Sequence, residues 1–83
     1  MEVTIRCYGG VAEAVGERSL TRVLEPSSTV GDVVDGLAAE FDDFEPRAFS
    51  DELTYRVNGG RADRGTCLSD GDAVVLSDAP RER

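Results

Sequence analysis

The groups able to do chemistry in this chain are mostly carboxylates. Asp42-Asp43 and Asp70-Gly71-Asp72 cluster most closely, Cys7 and Cys67 supply the thiols, and Gly9-Gly10 and Gly59-Gly60 are the glycine pairs that could let backbone approach a phosphate. His and Lys are both missing; all nine basic residues are Arg. A carboxylate or thiol therefore has no imidazole to exchange protons with, and no amine is present for Schiff-base or phosphate chemistry. The two thiols fall short of the three or four ligands a metal site needs. Neither has a His or Lys partner to lower its pKa, so they read as unpaired thiols of a reducing compartment. A redox or small-molecule sensor at Cys67 is a weaker reading of the same residue. The acid pairs sit where a helix end and a turn would recruit them anyway, and Asp70-Gly71-Asp72 lacks the ligand spacing of a calcium loop. The glycine pairs lack a following Lys, which favours turns over phosphate cradles. Catalytic residues, metal ligands and a cofactor site are accordingly not expected, and the chain reads as no enzyme.

Charge narrows the partners. Seventeen acids against nine bases leave a net charge of −8 over 83 residues. Such a surface repels nucleic-acid backbones and anionic lipid. It is the balance a high-salt cytoplasm favours, where salt screens self-repulsion. Apolar residues at 40% suit a folded domain, and the length allows one core only. No apolar run approaches the ~20 residues of a membrane span. The opening residues alternate instead of forming a signal's apolar stretch, so a cytoplasmic location is the expectation.

Periodicity then supplies the frame. Met1 to Tyr8 alternates, with Val3, Ile5 and Cys7 on one side and Glu2, Thr4, Arg6 and Tyr8 on the other, which predicts a strand. Val11 to Val15 allows one helical turn before Gly16, and Ser19 to Glu25 reads as a second strand in which Arg22 marks an edge or a bulge. Thr29 caps a helix whose stripe runs through Val30, Val33, Val34, Leu37, Ala38 and Phe41, with Asp32 placed for a capping box and Asp42-Asp43 closing it. Phe44 to Glu52 is irregular, its two Phe expected beneath the sheet rim. Thr54 to Asn58 predicts a third strand, Asn58-Gly59-Gly60-Arg61 a tight turn, residues 68–72 a second turn and Ala73 to Ser77 a last strand. The expected fold is α+β, a four-stranded mixed sheet in the order ββαββ with one main helix on one face. Residues 1–78 form the domain and 79–83 a flexible tail.

With that order in hand, the chain resembles the ubiquitin-like β-grasp superfamily over nearly its whole length. "LEPSSTVGDV", residues 24–33, is similar to the strand–loop–helix entry of ubiquitin, and "VNGGRADRGTCLSDGDAVVL", residues 57–76, to its later hairpin and turn. The opening "EVTIRCYGGVAEAVGE" and the closing "LSDGDAVVL" resemble more specifically the MoaD/ThiS branch, which holds the small subunit of molybdopterin synthase, the thiamin sulfur carrier and the small archaeal modifiers.

The resemblance implies a protein that works through its C-terminus. Members end in Gly-Gly, whose carboxylate is adenylated by an activating enzyme and then turned into a thiocarboxylate or joined to an amine. Narrow channels accept that bare backbone, whereas side chains would clash or need desolvation. Here the aligned positions are Glu82 and Arg83. This departure predicts a non-catalytic module that binds a protein partner without covalent attachment. An E1-like activating enzyme or a protein like the large subunit of molybdopterin synthase is the implied kind of partner. The expected contact residues are Arg6, Tyr8 and Arg56 on the sheet face opposite the helix, with Asp78, Ala79, Pro80, Arg81, Glu82 and Arg83 of the tail. The alternative is an active sulfur carrier or modifier, of the molybdopterin or the thiamin and tRNA-thiolation type, activated at its C-terminus.

Overall fold

A computed structural model describes residues 1–45 and 53–78. Strand β1 (Glu2–Tyr8) leads through a short helix α1 (Gly10–Val15) into β2 (Ser19–Val23). The main helix α2 (Val30–Glu40) follows, then β3 (Thr54–Val57), β4 (Gly60–Ala62) and β5 (Ala73–Ser77). The strands form one mixed sheet in the order β2-β1-β5-β3-β4, with β1 and β5 parallel and the other pairs antiparallel. The architecture is a ubiquitin-like β-grasp with five strands, which corrects the expected four. Asn58 and Gly59 take positive φ of 51° and 85°, the backbone of a two-residue hairpin turn that matches strand twist. Pairing thus resumes at once, Val57 opposite Gly60, and Gly60-Arg61 belongs to a fifth strand. The second strand is also shorter than expected, ending at Val23.

Alternation along β1 and β5 builds the core. Val3, Ile5, Cys7, Val74 and Leu76 point inward and are buried, against Val30, Val33, Val34 and Leu37 of α2 and Val11 and Val15 of α1. Phe44 is buried under the rim as expected; Pro46 and Phe49 lie outside the described residues. Phe41, placed on the helical stripe by its spacing, is the C-cap of α2 and only partly buried.

The start of α2 shows how the sequence satisfies amides that a helix leaves unbonded. Thr29 Oγ1 accepts from the Asp32 N–H at 3.3 Å and Asp32 Oδ2 from the Thr29 N–H at 2.9 Å, closing the capping box. The Val30 and Gly31 N–H groups donate to the carbonyls of Thr66 and Arg64 at 3.0 and 2.8 Å. The loop after β4 therefore seats on the helix end, close enough that a Cβ at Gly31 would lie 3.1 Å from the Arg64 carbonyl oxygen. Arg64 also pairs with Asp35 at 2.9 Å. At the other end Glu40 takes Arg22 Nε at 3.1 Å and its Nη2 at 2.6 Å. Arg22 thus marks a sheet edge, its head reaching over to the helix.

Candidate functional interface on the outer sheet face

One face of the sheet carries α2; the other carries the side chains that β1 and β5 turn away from the core. The register aligns them in rows. Arg6 stands opposite Val75, Val75 opposite Arg56, and Arg56 opposite Arg61. A second row holds Tyr8, Ser77 and Thr54. Arg6, Arg56 and Arg61 are exposed, and Tyr8 stands 46% exposed, a large aromatic left uncovered. Neither ion pair found among the described residues, Arg22–Glu40 or Arg64–Asp35, involves this row. Tyr8, Val75, Arg56 and Arg61 line one shallow groove with Ser77 and Thr54. Strands spaced about 4.8 Å apart put Arg6 and Arg56 roughly 10 Å apart with Val75 between them.

The structure therefore brings together three of the expected contact residues, Arg6, Tyr8 and Arg56, and adds Arg61, which sequence reasoning placed in a turn. The signal for Arg61 was present. A two-residue turn at Asn58-Gly59 puts residue 60 opposite 57 and residue 61 opposite 56 by counting alone.

Asp78 directly follows β5. Its Oδ1 accepts the Gly10 N–H at 2.7 Å, fixing the chain just beyond the sheet to the start of α1. Gly9 makes that approach possible. Its φ of +63° and ψ of −137° suit glycine, and a Cβ there would collide with the Asp78 carboxylate. Ala79, Pro80, Arg81, Glu82 and Arg83 lie outside the described residues.

The remaining chemical groups serve the frame. Asp70 Oδ1 accepts the Glu2 N–H at 2.7 Å. Asp72 accepts the Ser69 N–H at 2.8 Å and the Asn58 amide at 2.9 Å, while Asn58 Oδ1 accepts the Ala73 N–H at 2.9 Å. These bonds, the one from the Ser69 amide first, hold the Asp72 carboxyl below its usual range. The turn before β5 is so tied both to the start of β1 and to the β3–β4 hairpin. Cys7 is buried, and burial pushes its thiol up; Cys67 is exposed, and both are free. Among the described residues no cluster of His, Cys, Asp or Glu could hold a metal ion, and no helix is long and apolar enough to cross a membrane.

A helix seated on a mixed sheet whose first and last strands run parallel at its centre defines a ubiquitin-like β-grasp protein. A crystal structure of Haloferax volcanii small archaeal modifier protein 1 superposes with a TM-score of 0.80 over 92% of this chain and 94% of the other, at 26% identity. A molybdopterin converting factor subunit 1, described as putative, from Pyrococcus furiosus gives the same TM-score over 93% and 95% at 17% identity, a likeness of fold. No protein-family model matches the chain. Small archaeal modifier protein 3 of Haloferax volcanii is 35% identical over 92% of both chains. The chain belongs to the small archaeal modifier family of ubiquitin-like proteins. Its acid-rich, Lys-free composition accords with these relatives from a halophile.

Proposed function

We propose that this protein is a non-catalytic ubiquitin-like module that docks on a protein partner without covalent attachment, through Arg6, Tyr8 and Arg56 of the outer sheet face together with residues 78–83. The observation that carries the reading is the row in which exposed Arg6 and Arg56 flank half-buried Val75, beside exposed Tyr8. In a chain of net charge −8, exposed guanidinium groups that join no ion pair among the described residues are an uncommon arrangement for solubility alone. Aromatic and Arg side chains are also the types that carry most binding energy in protein interfaces. Residues 79–83 carry Arg81, Glu82 and Arg83, charged side chains that would need desolvating in a narrow channel and that suit a solvated docking surface. The partner is of the E1-like or molybdopterin-synthase large-subunit kind, and the setting is the cytoplasm.

The second reading, a sulfur carrier or protein modifier activated at its C-terminus, is favoured by the relative at 35% identity, a small archaeal modifier protein. Capture from a halophile extract at molar salt separates the two. Partners released by denaturant, and lost on Arg6→Glu with Arg56→Glu or on removal of residues 79–83, fit docking. Partners that survive denaturant as covalent adducts fit the modifier reading and overturn docking.

A further inference from the structure

We infer that the outer sheet face is a receptor for an acidic peptide segment of a partner protein, gripped by Arg56 and Arg61 with Arg6 extending the row. The inference rests on the docking reading above and adds the chemistry of what docks.

Arg56 and Arg61 face each other directly across the β3–β4 pair. Like charges in that position work against the hairpin, and β4 is only three residues long. The chain has acids in plenty, yet none of the ion pairs among the described residues relieves this contact. Two guanidinium groups side by side, each planar with paired donors, match the two-oxygen edge of carboxylates. Val75 separates them from Arg6 and offers a small apolar platform in the same groove that Tyr8 borders. The row therefore asks for two or three carboxylates spaced along an extended segment, with an apolar side chain between them. A nucleic acid also carries anions, but its long, dense charge meets the field of a net −8 protein, whereas a short acidic segment brings few charges and sets them directly on the row.

The test uses the full ¹⁵N-labelled chain titrated with a synthetic peptide of alternating Glu and Val, with a Lys–Val peptide and an oligo-dT strand as counter-probes. Saturable shifts confined to amides around Tyr8, Arg56, Arg61 and Val75, absent with the Lys–Val peptide, are expected. Arg56→Glu should weaken that binding about tenfold, while its melting temperature stays level or rises, because the new Glu faces Arg61 as an opposite charge. No saturable binding, shifts centred on α2, tighter binding of oligo-dT, concentration-dependent self-association in place of peptide binding, or undiminished affinity in Arg56→Glu would each overturn the inference. A native partner that is retained by Arg56→Glu and Arg61→Glu but lost without residues 79–83 would overturn it and leave the docking reading standing.

Discussion

Replacing Gly9 by Ala probes the joint between the end of β5 and the start of α1. The φ of +63° with ψ of −137° belongs to a region that costs a residue with a side chain of order 1–3 kcal/mol. The added Cβ also meets the Asp78 carboxylate, so that side chain must swing away and release the Gly10 N–H. A hydrogen bond to a charged acceptor contributes about 1.5 kcal/mol at the low end, fitting for a partly exposed site. The single change should therefore cost about 2.5–4.5 kcal/mol, a large share of the stability of so small a domain. Asp78→Ala alone should cost about 1.5 kcal/mol. Because both changes break the same bond, the double variant should be less destabilised than the sum of the singles, by about 1.5 kcal/mol. Urea unfolding of the wild type, both singles and the double at fixed molar salt gives the cycle. Additive losses would refute the account, since they would mean Gly9 and Asp78 do not meet.

Three further outcomes follow from the geometry. Gly36 lies exposed in α2 with nothing within 4 Å of where a Cβ would stand, so Gly36→Ala should stabilise by up to ~1 kcal/mol, whereas Gly31→Ala, tight against the Arg64 carbonyl, should destabilise; paired thermal melts check the opposite signs. Cys67 should react with a thiol reagent at once and Cys7 only on unfolding, and because burial raises the Cys7 pKa, stability is fully present below its ordinary value near 9 and falls as pH rises beyond it, when the unfolded thiol ionises and the folded one does not. Asp72, held below its ordinary value near 3.8, contributes stability that is present above that pH and lost as pH falls through the folded value; Asp72→Asn should flatten that part of the acid titration of stability.

The elements that depend on neighbours in sequence could be read in advance. Thr29 and Asp32 announce the capping box because both partners lie within one turn, and the valines of α2 recur at the period of the helix. Alternation from Val3 to Cys7 marked the buried face of β1, and its outward residues Arg6 and Tyr8 with it. What joins distant residues left no local trace. Asp78 and Gly10 are 68 residues apart, and nothing around either tells of the other. The alternation of β1 and β5 does not say that they pair, or that they run parallel; only the folded structure shows it. The fifth strand escaped for another reason. Gly60-Arg61-Ala62 is too short to show a period, and its glycine argued for a turn, so Arg61 was separated from Arg56, its cross-strand neighbour. The double role of Arg22, at a strand edge yet bonded to Glu40, likewise depends on where α2 crosses.

The claim that this chain works by docking rather than by activation of its carboxylate meets its most direct test in intact mass spectrometry. The full chain is incubated at molar salt with an E1-like activating enzyme from a halophile, ATP and a sulfur donor, alongside a relative known to be accepted. The docking account predicts an unchanged mass for this chain while the relative is converted. An adenylate, a thiocarboxylate or a covalent adduct on this chain would contradict it.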